Sequence, residues 1–152
     1  MKRWGGLMTK KKVYAVLFTL LIPMVLLGCS GGGQVEEMGY QDFKETIGEE
    51  NFTGFAYILS NFKAEEDGYL NSIIDVFEEE NASLVFYNDQ QASDRTHEIF
   101  NEDSGKIDLY LPTNDIAYIV DGEVVAEFEI DEQITMNEGR KALSSFINEN
   151  RE

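Results

Sequence analysis

The feature that narrows the fold most is a pair of apolar runs with a one-faced helix between them. Residues 51 to 60, NFTGFAYILS, are aromatic and β-branched with a single glycine. A run this apolar does not suit a strand with one solvated face; it suits one buried on both. ASLVFYN, residues 82 to 88, is a second such run. Between them Tyr69, Leu70, Ile73, Ile74 and Phe77 recur at helical spacing, which predicts a helix over about residues 65 to 80 with one buried face. Strand, helix and strand in so short a stretch make a βαβ unit, with the strands parallel and the crossover right-handed.

The flanking segments extend this unit. YQDFKETI places Tyr40, Phe43 and Ile47 on one stripe, which predicts a short first helix. Ser93 is a candidate N-cap for a helix running to about Glu102, with Ile99 and Phe100 turned inward. KIDLYL then leads into Pro112, and beyond it DIAYIV and EVVAEFE alternate around Asp121-Gly122, a type I′ hairpin signal. An antiparallel pair thus joins the parallel one. TMNEGRKALSSFINENR closes the chain with Thr135 and Glu138 at capping-box spacing and Ala142, Leu143, Phe146 and Ile147 on the expected inner face.

The first 28 residues have a different character. Lys2, Arg3, Lys10, Lys11 and Lys12 stand ahead of an apolar run from Val13 to Leu27, with no acid among them. The run is shorter than the ~20 residues a membrane-spanning helix needs, and Pro23 interrupts it, so the segment reads as an export signal. It ends in Leu26, Leu27, Gly28 and Cys29, which resembles the lipobox of bacterial lipoproteins. That resemblance implies cleavage after Gly28 and a diacylglyceryl thioether on Cys29, the only cysteine in the chain. With ~0.8 kcal/mol per buried methylene, two or more acyl chains suffice for stable anchoring. The expected organisation is a signal over residues 1 to 28, a flexible tether over 29 to 38 and a domain over 39 to 152. The protein is expected to be extracytoplasmic, with the lipid bilayer as partner through acylated Cys29.

Beyond the signal, 29 acids face seven bases, a formal charge of −22. With no cluster of Lys or Arg to offset this, nucleic acid is excluded as a partner. The acidity serves either solubility in a salt-rich exterior or a site for cations or a basic protein. NEDSGKID lacks the spacing and closing Glu of a calcium loop. One histidine and no free thiol argue against transition-metal sites, and no cofactor motif is found. His97, in SDRTHEIF, reads as a solvated or core-edge residue on a helix.

The predicted order α-β-α-β-α-β-β-α over Tyr40 to Arg151 resembles the thioredoxin fold. Pro112-Thr113, the strand to Val120 and the turn Asp121-Gly122-Glu123 look like the stretch that in this family begins with a cis-proline beside the active site. The resemblance implies a three-layer α/β sandwich with a mixed four-stranded sheet, βαβ then αββα, and an extra N-terminal helix. It also locates where the reactive thiols would stand, at the start of the helix after the first core strand. There the chain reads SNFKAEEDGYL, without cysteine. Ser60, Asn61, Lys63, Glu65 and Glu66 occupy the region, and carboxylates at a helix front are ordinary complements of its dipole. The expected function is a membrane-anchored, redox-inactive binding or structural domain of the cell envelope, with a protein, peptide or cell-wall partner. The alternative is an accessory enzyme, redox or cation-dependent, whose partner supplies the thiols. The expected contact surface is a groove at Asn61, Phe62, Leu111 and Pro112, where the family pairs extended peptide with backbone beside the proline.

Overall fold

The computed structural model describes residues 33 to 151; the expected export signal and the lipobox-like stretch through Cys29 lie outside the described residues. Five strands form one mixed sheet in the order β1-β3-β2-β4-β5: β1 (Val35–Glu37), β2 (Gly54–Leu59), β3 (Leu84–Asn88), β4 (Asp115–Val120) and β5 (Glu123–Glu129). The two apolar runs are the central parallel pair, with Phe55 beside Leu84 and Tyr57 beside Phe86. β4 lies antiparallel to β2, and β5 antiparallel to β4. At the hairpin, Asp121 and Gly122 have φ of 51° and 76°, the two positive values a type I′ turn needs.

The sheet has one more strand than the four expected. Val35–Glu37, read from sequence as the end of the tether, pairs in parallel with β3, and the Met38 amide donates to the Phe86 carbonyl at 2.8 Å. Three residues carry no periodicity to reveal a strand. β1 forms because the outer edge of β3 is open to it.

Among the described residues there are five α-helices: α1 (Tyr40–Ile47), α2 (Phe62–Glu66), α3 (Tyr69–Glu79), α4 (Asp94–Ser104) and α5 (Asn137–Asn150). The single helix expected near residues 65 to 80 is two, because Gly68 takes a left-handed φ of 75° and breaks the ladder. The capping box at Thr135 does not form. The Thr135 hydroxyl donates to the Glu132 carbonyl at 3.0 Å, closing a 3-10 turn over Glu132–Thr135, and α5 begins two residues later behind Met136. Gly139 is buried in the first turn of α5, where a Cβ would stand 2.1 Å from the Gln133 carbonyl oxygen of that turn.

Strand alternation separates two cores. On one face Phe55, Tyr57 and Leu84 meet Ile73, Val76 and Phe77 of α3 and Leu143 and Ile147 of α5. Phe55 packs edge-on against Phe77, centroids 5.3 Å apart. Ala142, expected on the inner face of α5, is exposed, since the buried stripe runs through Gly139, Leu143 and Ile147. On the other face Ala56, Ile58 and Tyr87 meet Tyr40, Phe43 and Ile47 of α1 and Phe100 of α4. An ion cluster on the buried Asp103 ties α1 to the end of α4: its carboxylate accepts from the Tyr40 hydroxyl at 2.8 Å, Lys44 Nζ at 2.7 Å and Lys106 Nζ at 2.5 Å.

Tyr57 is fully buried, and its hydroxyl is the one buried side-chain polar atom without a hydrogen-bond partner among the described residues. Burial, then the Asp115 carboxylate, push its phenol well above the ordinary value. A buried hydroxyl with no partner forfeits its hydration without return. Tyr57→Phe is therefore expected to raise stability by about 1 kcal/mol, seen as a higher urea midpoint at unchanged slope.

Candidate functional site

Parallel strands β2 and β3 end side by side, and the carboxyl ends of such strands are where open α/β sheets take ligands. Three loops meet there. The Ser60 amide and hydroxyl both point to Asn114 Oδ1, at 3.3 and 3.4 Å. Gln90 Nε2 donates to the Ser60 carbonyl, and Gln91 Nε2 to Glu65 Oε1 at 3.1 Å. Asn88 accepts from the Gln90 amide at 3.0 Å, starting a 3-10 turn over Asp89–Gln91. The loops after β2 and β3 and before β4 are thus stitched by amide side chains.

The four residues of the expected groove fall in this region with separate roles. Asn61 caps α2, its Oδ1 accepting from the amides of Lys63 and Ala64 at 2.9 and 3.3 Å. Phe62 is 61% exposed. Leu111 packs against the α1 and α4 core, and Pro112 is buried. The peptide bond before Pro112 is trans, contrary to the family expectation. Its carbonyl accepts from Ile58 at 2.9 Å and the Asn114 amide donates to the Ile58 carbonyl at 2.9 Å, so the stretch runs beside β2 as a parallel bridge. The Leu111 carbonyl accepts from the Thr113 amide at 2.8 Å. Asn114, at φ 63°, then reverses the chain into β4. These backbone groups beside the proline bond within the domain, where the family resemblance offers them to peptide.

A second arrangement was not visible in sequence. The Asp89 carboxylate, its side chain 1% exposed, accepts from the Tyr87 hydroxyl at 2.8 Å and meets His97 Nδ1 at 2.5 Å. The imidazole is half exposed, with Nε2 outside any hydrogen bond among the described residues. A buried carboxylate on one ring nitrogen fixes the tautomer and orientation of the imidazole. The three residues are joined across the 3-10 turn after β3, a geometry that spacing alone does not disclose. Among the described residues no hydroxyl or thiol nucleophile is bonded to this imidazole, and no group of three or more His, Cys, Asp or Glu side chains is placed to hold a metal ion.

Comparison with protein-family models, with curated proteins and with solved structures gives no match to this chain. The functional reading therefore rests on the residues and their geometry.

Proposed function

We propose that the protein is a lipid-anchored, extracytoplasmic binding domain on a thioredoxin-like scaffold that does no thiol chemistry. Cysteine usage carries the reading: the only sulfhydryl of the chain stands at residue 29, behind Leu26-Leu27-Gly28, in the one position where acylation would consume it. A parallel β2–β3 pair flanked by the antiparallel β4–β5 pair, with helices in the order the resemblance implies, supports the thioredoxin-like assignment. At the sheet end where that resemblance locates the reactive pair, the chain offers Ser60, Asn61 and Phe62. An anchored domain of this kind acts by holding a partner near the membrane.

Mass spectrometry of the membrane fraction tests the reading. The expected result is a mature chain beginning at residue 29 with a thioether-linked diacylglyceryl group. Cys29→Ser is expected to abolish both the lipid and the cleavage, leaving the uncleaved chain. A wild-type membrane fraction in which the Cys29 thiol is free and reactive would overturn it.

A further inference from the structure

The backbone groups beside Pro112 bond internally, yet the sheet keeps a long open edge elsewhere. β5 spans seven residues and, among the described residues, has β4 as its only strand neighbour. Its sequence, EVVAEFE, contains neither proline nor lysine, and its charged side chains are all glutamates, which discourage pairing with an acidic strand. A register shift between Tyr118 and Ile119 places a bulge near the hairpin, and residues 126 to 129 then pair regularly with β4. This stretch offers main-chain groups to an incoming strand.

The side chains around that edge say what kind of strand would come. Glu127 and Glu129 sit opposite Ala117 and Asp115, so three carboxylates share one face of the hairpin. No ion pair among the described residues involves any of them, and their one hydrogen bond to a side chain comes from the Tyr110 hydroxyl to Glu127 at 2.5 Å. The Asp115 carboxyl is raised by partial burial, then by Glu127 and Glu129, which is crowding a cation would relieve. At the other end of β5, Val124 lines a cavity of about 320 Å³ together with Ile47, Leu109 and Ile119 and the polar Lys44, Asp108 and Tyr110. Val125 beside it is 56% exposed.

We propose that the open edge of β5 docks an extended, basic segment of another protein, which adds a strand to the sheet, sets Lys or Arg against Glu127 and Glu129, and seats one apolar side chain in the cavity beside Val124. Strand addition draws affinity from main-chain hydrogen bonds and specificity from pockets for alternate side chains, and both are present here. A second copy of this chain is disfavoured as occupant, because edge-to-edge pairing would bring Glu123, Glu127 and Glu129 of two copies together. The formal charge of −22 beyond the signal draws a basic partner from a distance and repels an acidic one.

This deepens the binding role and names the class of partner. Its test is independent of the anchor, since peptide docking and acylation of Cys29 are read separately. The full chain, held in zwitterionic detergent and labelled on its backbone amides, is titrated with three short peptides: alternating lysine and valine, the same with alternate amides N-methylated, and alternating glutamate and valine. The expected result is saturable shifting of β5 amides by the first peptide alone, weakened by added salt. The double variant Glu127→Lys, Glu129→Lys is expected to lose affinity for the lysine peptide by at least about tenfold and to gain affinity for the glutamate peptide, with its thermal midpoint near that of wild type. Three results would each overturn the proposal: no saturable binding, equal binding of the N-methylated peptide, which is mere adhesion of charge, or β5 shifts that follow protein concentration without peptide, which is self-association.

Discussion

Gly139→Val is expected to cost about 3 kcal/mol or more and to lower the thermal midpoint by on the order of ten degrees. Even the first carbon of a side chain would lie 2.1 Å from the Gln133 carbonyl oxygen, 2.3 Å from its carbonyl carbon and 2.7 Å from the Ile134 nitrogen. All three are backbone atoms of the 3-10 turn ahead of α5, so no rotamer change makes room. Relief requires moving that turn away from the helix, which pulls the fully buried Ile134 out of the core it shares with Leu143 and Ile147. Gly139→Ala meets the same atoms and is expected to fall short of wild type by a smaller margin. Calorimetry of the two variants against wild type measures the order.

Asp103→Asn is the second large effect, and it carries a pH signature. The carboxylate accepts from Lys106, Lys44 and Tyr40, in that order of influence, and these bonds hold its pKa far below the usual carboxylate range. An amide in its place presents two hydrogens to sites where donors already point. Because the Lys106 and Lys44 side chains are 56% and 24% exposed, the loss belongs with hydrogen bonds to charged groups, about 2 kcal/mol, and below the 3–5 kcal/mol of a pair sealed from water. The folded-state value is depressed, so the contribution is whole above the unfolded value near ~4 and declines as pH falls toward the folded one. Urea unfolding at a series of pH values is expected to show a constant gap between wild type and variant at neutral pH that narrows below about pH 4. A gap that stays constant through acid would show that Asp103 acts only through packing.

Much of the fold was legible because periodicity and turn chemistry are local. The stripe of Tyr40, Phe43 and Ile47 marked α1 from its first residue to its last, and all three are buried. Ser93 caps α4, its hydroxyl accepting from the Thr96 amide at 3.3 Å. β1 was not legible, since Val35–Glu37 is a strand only by virtue of the β3 edge beside it. Thr135 and Glu138 had capping-box spacing, yet the hydroxyl found a nearer carbonyl and the helix started later. At the candidate site, Asn61 caps α2 after β2, and the Pro112 carbonyl accepts from the Ile58 amide near the end of the same strand. The sequence did not reveal that Ile58 takes up the proline carbonyl, nor that Asp89 holds His97, because those bonds depend on how loops fold over one another.

Three phenols lie inside this acidic domain, and each is kept in its uncharged form. Burial is the first cause for Tyr40, Tyr57 and Tyr87; the carboxylates of Asp103, Asp115 and Asp89 respectively add to it. All three values are raised above the free phenol, so their titration leaves stability unchanged below about pH 10 and lowers it as alkali carries the solution toward the folded values. While folded, the domain takes no added negative charge from these rings. In strong base, ionisation of the rings and opening of both faces of the sheet become a single cooperative event.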